Sequence, residues 1–179
     1  MKTALQSIRI LLVFTLLTGV LYPLAVTVLA KLIFPAQADG SLLRDGEKIR
    51  GSALLAQKFA DPKYFWPRPS AADYATIASG ASNKGPTSSD LVKTIDERRA
   101  KFGADAPVDL LTASGSGLDP HISPEAAGLQ AARVVTARSL SGEAVAALIT
   151  AHTEPPQFGL LGEPRVNVLA LNLALDALK

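Results

Sequence analysis

The sequence predicts an α+β fold, a single N-terminal transmembrane helix followed by one compact domain that carries a small β-hairpin or sheet and several helices. Three observations predict it. Ile10 to Ala30, "ILLVFTLLTGVLYPLAVTVLA", is a run of 21 residues without a charge. After Pro35 the chain changes to short polar and apolar pieces rich in Gly, Pro and Ser. Beyond residue 87, apolar residues recur at helical spacing behind Ser and Asn residues able to cap helices.

The apolar run comes first. As a helix rising about 1.5 Å per residue it matches a hydrocarbon core of roughly 30 Å. Gly19 and Pro23 lie inside it, and both are tolerated in spanning helices, where neighbours satisfy a freed carbonyl. Thr15, Thr18 and Gly19 form a small-residue patch on which a second helix can pack, next to Pro23. A cleaved signal peptide is the competing reading, because "AQAD" at 36–39 offers a cut after Ala38. Twenty-one apolar residues exceed a signal peptide's 7 to 15, which favours an anchor that stays. Lys2, Arg9 and the free amine, set against Lys31 and the later Arg44 and Lys48, favour an N-terminus on the cytoplasmic side by a narrow margin. Residues 1–34 are thus read as the anchor and 35–179 as one extracytoplasmic domain.

Composition narrows the classes. The chain has 179 residues, about one domain's length, and no cysteine, which removes disulfides, thiol nucleophiles and thiolate metal sites. Of the 18 basic residues, Lys2, Arg9 and Lys31 flank the apolar run, leaving 15 against 16 acids. A domain so close to neutrality lacks the basic stripe that phosphate neutralisation needs, so nucleic acid is not expected as a partner.

Within the domain, Asp45-Gly46 between short apolar segments signals a hairpin. "YFWPRPSAADY" has two prolines that forbid a regular element, so Tyr64, Phe65, Trp66 and Arg68 are either a loop pinned to a core or a contact surface for a partner. Thr87 to Phe102 reads as a surface helix with Leu91, Val92, Ile95 and Phe102 on its apolar side. The next helix has Ser123 as N-cap, Pro124 at its first position and Glu125 in its first turn. A further helix starts at Ser141 and ends near His152. The last, capped by Asn167, puts Val168, Leu171, Leu175 and Leu178 inside and Asn172, Asp176 and Lys179 on an outer polar stripe. Arg165 is expected to pair with Asp119 or Glu163.

Four stretches approach a catalytic or ligand-binding motif and miss it. Gly115, Ser116 and Gly117 stand too far before the helix at 123 for a dinucleotide turn, and neither Ser114 nor Ser116 has the glycines of a nucleophile elbow. Gly80 to Thr87, "GASNKGPT", which contains Asn83, has P-loop spacing but Pro86 where the phosphate-binding Lys belongs. "LSGEA" at 140–144 has the opening of a nucleotide-sandwiching signature, which Ser141 explains as a cap. Asp119 and His121 lack a nearby third ligand for a metal and read as an ordered loop. No catalytic residue or metal ligand is assigned.

Taken together, "YFWPRPSA" at 64–71, "SGASNKGPT" at 79–87, "DLLTASGSGLDPHISPEAA" at 109–127 and "GLLGEPRVNVLALNLAL" at 159–175 resemble the C subunit of the Kdp potassium-transporting P-type ATPase, in order over nearly the whole chain. Lys84, Ser88-Ser89 and Pro155-Pro156 depart from that pattern, which touches local loop shape. The resemblance implies a single-pass protein of the bacterial inner membrane and an accessory, non-catalytic subunit needed for assembly and regulation. Its implied partners are a potassium-channel-like subunit and an ATP-hydrolysing subunit, which handle potassium and ATP with Mg. It also implies a role in raising the pump subunit's affinity for ATP. The alternative from another class is a membrane-anchored extracytoplasmic enzyme or ligand-binding protein whose site is the glycine-rich loop.

Overall fold

The computed structural model describes residues 2–178, so Lys179 of the expected polar stripe lies outside the described residues. The chain divides into two compact units, Met1–Leu42 and Leu43–Lys179.

The first unit is built on helix α1 (Lys2–Ile33), which is long and apolar enough to cross a membrane. Its hydrogen bonding widens to a π-turn at Leu17–Leu21, where the Tyr22 N–H donates to the Leu17 carbonyl. Pro23 is the physical cause: its ring would strike the carbonyl four residues back, at Gly19, and it has no N–H to give. Thr18 and Thr27 donate their hydroxyls to the carbonyls of Phe14 and Pro23, each at 2.7 Å, so both hydroxyls are satisfied within the helix itself. A Cβ on Gly19 would meet only the Thr15 methyl, at 4.0 Å, so nothing within the helix demands glycine there. A short helix, α2 (Pro35–Ala38), follows, and Lys31 pairs with Asp39 at 3.2 Å.

A hairpin of β1 (Leu42–Asp45) and β2 (Lys48–Ser52), turned at Gly46 with φ +60°, begins at the unit boundary and lies in the second unit from Leu43 onward. The helices of that unit are α3 (Ser89–Phe102), α4 (Val108–Leu111), α5 (Pro124–Arg138), α6 (Gly142–Ala151) and α7 (Val168–Ala177). Three short strands, β3 (His121–Ile122), β4 (Thr153–Glu154) and β5 (Arg165–Asn167), form an antiparallel sheet in the order β3-β5-β4. This is the α+β fold with a small sheet that the sequence predicts.

Capping follows the sequence closely. Ser123 accepts from the Ala126 N–H at 3.0 Å, Ser141 from Ala144 at 3.1 Å and Asn167 from Ala170 at 3.0 Å, each satisfying a donor of a first helical turn. α3 starts at Ser89 behind a Ser88 cap, two residues later than expected. Val92 is 52 % exposed, which corrects its place on the apolar side: Leu91, Ile95, Arg98 and Phe102 share the inward stripe, and Val92 is turned about 100° away from Leu91.

A second correction concerns α7. Asn172, expected on the outer stripe, is 2 % exposed between the buried Val168, Leu171 and Leu175. Its side-chain amide accepts from the Phe65 N–H at 2.9 Å and donates to the Phe65 carbonyl at 3.0 Å. On α5 the buried Gln130 treats the next residue in the same way, accepting from the Trp66 N–H at 2.8 Å and donating to its carbonyl at 3.1 Å. Two side-chain amides thereby act as a neighbouring strand for a segment that Pro67 and Pro69 keep out of any sheet. Phe65 itself is fully buried among Ala126, Val134, Leu171 and Leu175.

Asn172→Ala should lower the stability of the chain by about 3 kcal/mol, since it leaves two buried backbone groups unpaired. Asn172→Leu should not restore it, because refilling the volume does not replace the bonds. Thermal unfolding of the two variants beside wild type checks both outcomes.

Candidate functional site

The resemblance-bearing stretches meet around residues 64–74. Tyr64 donates its hydroxyl to Asp176 at 3.0 Å, and the Arg138 guanidinium lies 4.9 Å from its ring centre. Trp66 is held between Arg133, 3.7 Å from its ring, and Lys101, at 4.1 Å, with the Phe102 ring edge-on at 6.0 Å. Its indole N–H donates to the Asp61 carbonyl at 3.1 Å. Arg133 also donates to the carbonyls of Pro62 and Tyr64 and to Gln130. Phe65 thus belongs to the core, while Tyr64 and Trp66 each keep one partly exposed side.

Arg68 reaches across to the loop before β3 and donates to Asp119 at 3.0 Å. The other carboxylate oxygen of Asp119 accepts from the His121 N–H at 3.0 Å, with the His121 ring nitrogen at 3.6 Å. Partial burial works against the Asp119 charge, yet the His121 side chain and N–H and the Arg68 guanidinium outweigh it and bring the carboxyl down to about 2. So acidic a group is a poor proton acceptor near neutral pH and acts as a fixed anion. Tyr74 donates to the Arg68 carbonyl at 2.9 Å, and burial together with the Asp73 charge pushes its phenol up to about 12, which keeps it a donor.

The glycine-serine loop closes on a second glycine loop. Gly117, at φ +72°, is so placed that a Cβ would stand 2.8 Å from the Gly80 carbonyl oxygen. Both the left-handed backbone and the close approach require glycine. Ser116 is exposed and its hydroxyl accepts from the Leu118 N–H at 3.1 Å, while Asn83 is exposed with φ +54°. The hydroxyl of Ser116 therefore braces its own turn.

Arg165 requires a correction. It pairs with Glu154 at 2.9 Å and not with Asp119 or Glu163, because the β4–β5 register sets Glu154 opposite Arg165, where side chains of neighbouring strands meet. Asn167 caps α7 as expected and also donates to the Ala53 carbonyl at 2.7 Å. Thr15, Thr18, Gly19 and Pro23 all lie at or beside the π-turn of α1.

An open groove of about 880 Å³ runs past Arg68, Asp109, Asp119, His121, Glu163 and Arg165. Two of its carboxylates are engaged: Asp119 as described, and Asp109 by the Ser123 N–H at 2.7 Å. Among the described residues, no three of His, Asp or Glu converge as ligands for a metal.

Sequence reasoning missed Gln130, Arg133, Arg138 and Asn172. The signal for the two amides was present, since Gln130 shares a helix face with Ala126, Ala127 and Val134, and Asn172 shares one with Val168, Leu171 and Leu175. A polar residue on an apolar helix face marks a buried partner.

The Asp119 cluster gives stability a defined acid dependence. A carboxyl lowered in the folded state contributes stability that is present above its ordinary value of 3.8 and is lost as the pH falls through about 2. Asp119→Asn should therefore flatten the decline of wild-type stability between about pH 4 and pH 2, read from denaturation midpoints at each pH. Gly117→Ala should destabilise by about 1–3 kcal/mol at neutral pH, read the same way.

Comparison with known proteins places this geometry. A family model described as "K+-transporting ATPase, c chain" matches residues 4–177. A potassium-transporting ATPase KdpC subunit of Methylococcus capsulatus is 55 % identical, covering 97 % of this chain and 96 % of that protein. Those of Geobacter sulfurreducens and Cereibacter sphaeroides are 52 % and 56 % identical, each over 99 % of this chain and over 99 % and 96 % of their own lengths. Over nearly its whole length, from the apolar helix to α7, the chain belongs to the KdpC family, the c chain of the K+-transporting ATPase.

Proposed function

We propose that this chain is an accessory and regulatory subunit without catalytic residues of its own, which assembles and stabilises an ATP-driven, high-affinity potassium uptake complex. On this reading α1 crosses a bacterial cell membrane once, with the N-terminus cytoplasmic and the second unit extracytoplasmic. A potassium-channel-like subunit and an ATP-hydrolysing subunit handle potassium and ATP with Mg. The small-residue patch of Thr15, Thr18 and Gly19 beside Pro23 receives a partner helix.

One observation carries the reading: Asp119, the carboxylate at the centre of the longest family-like stretch, is held as a fixed anion by Arg68 and His121. The same residues that could be drawn into a catalytic group instead tie the 64–74 segment to the loop before β3. A higher ATP affinity of the pump subunit follows from assembly on this reading. The glycine loops favour no nucleotide role, since Pro86 stands where a phosphate-binding Lys belongs and Gly117 packs directly on Gly80.

Ser116→Ala and His121→Ala should lower potassium-dependent ATPase activity only as far as they lower the amount of intact complex. The check is the ATPase rate, and the KM for ATP, normalised to assembled complex after each substitution. A loss of a hundredfold or more at unchanged assembly, the scale of removing a catalytic acid or base, would overturn the assembly role for this stretch.

A further inference from the structure

Large apolar side chains stand out from the surface on the connection between β4 and β5, "PPQFGLLGEP". Phe158 is 88 % exposed, Leu160 83 % and Leu161 58 %. The connection is an ordered turn. Gln157 and Leu161 exchange backbone hydrogen bonds at 2.9 Å in each direction, and Gly159 donates to the Pro156 carbonyl at 2.9 Å. Phe158 itself sits at φ +57°, followed by Gly159 at +72° and Gly162 at +84°. A left-handed aromatic residue is strained, and the strain persists only where the surrounding turn enforces it. The turn therefore holds three apolar side chains away from the core in a fixed arrangement, which lowers the entropy lost when they are covered.

The size and charge of the patch select its occupant. Its exposed side chains amount to roughly 400 Å² of apolar surface, within the roughly 300–600 Å² of the largest patch on a lone protein, which is often functional. A stable free-standing interface needs about 800 Å² from each partner, so a second copy docking through this turn alone would be held too weakly. A partner already kept nearby by a shared membrane needs less, because tethering raises the effective concentration. Charge weighs against lipid: Arg165 is neutralised by Glu154, and Glu163 leaves the base of the turn acidic, whereas surface-seeking segments carry basic flanks.

We infer that the turn at 157–161 is an anchor that seats Phe158 and Leu160 in an uncharged apolar cleft, on the part of another subunit of the same complex that lies outside the bilayer. The inference rests on the reading of this chain as an assembly subunit. Phe158→Gly suits the test, because glycine accepts φ +57° without strain and the variant keeps its fold while losing the anchor. Combined with Leu160→Ser in the full chain, it should leave the melting temperature unchanged or raised and reduce the copurified partner subunits tenfold or more. A photoreactive phenylalanine analogue at position 158, irradiated in membranes containing the complex, should crosslink to another subunit. Unchanged copurification of the double variant overturns the inference, as does an adduct to lipid, an adduct to a second copy of this chain, or no adduct. If the wild-type chain copurifies with no membrane subunit, the assembly reading falls and this inference with it. If wild type copurifies and the double variant does so equally, only the inference falls.

Discussion

The second unit depends on a clamp of two buried side-chain amides on one stretch of extended backbone. Residues 64–66 run into Pro67 and Pro69 and so cannot join a sheet through a regular ladder. The backbone groups of Phe65 are nonetheless buried and those of Trp66 partly so, and an unpaired buried amide is costly. Gln130 from α5 and Asn172 from α7 each give one donor and one acceptor to one residue of that stretch. In each amide both the oxygen and the nitrogen are engaged by the same residue, which makes the clamp specific in register as well as stabilising.

The clamp sets the positions of the groups around it. With Phe65 turned into the core, Tyr64 and Trp66 must project the other way, where Arg138 and Arg133 lie over their rings. Two residues later Arg68 is carried to the loop before β3 and bonds Asp119 there, while Asp109 accepts from the Ser123 N–H at the start of α5. Pro69 continues the link by accepting from the Ser114 N–H at 3.0 Å. The glycines of the two loops then meet, Gly117 on Gly80. Stretches separated by tens of residues thus form one connected frame, in which polar side chains mostly hold backbone.

The long apolar helix α1 follows a different rule. In an apolar medium a backbone carbonyl released by proline has no water to turn to. The π-turn at Leu17–Leu21 accommodates the ring of Pro23 while keeping the Tyr22 N–H bonded, and the nearby threonines fold their hydroxyls back onto the helix. Each feature lowers the polarity of the helix surface without adding a charge.

Local chemistry alone determined a good part of this protein. The uncharged run, the Asp45-Gly46 turn and the caps at Ser123, Ser141 and Asn167 depend on neighbours within a few residues, so the sequence carries them complete. The four long stretches likewise carried the family. Tertiary structure alone decided which polar residues are inside and what they bind. Asn172 reads as outward by helical spacing and lies inward because Phe65, 107 positions away in sequence, brings it two backbone partners. Arg165 has three carboxylates within plausible reach in sequence terms, and only the β4–β5 register selects Glu154. The buried or exposed character of Tyr64, Phe65 and Trp66 was equally open, since three consecutive aromatics have no period, and the clamp from two distant helices assigns each its side.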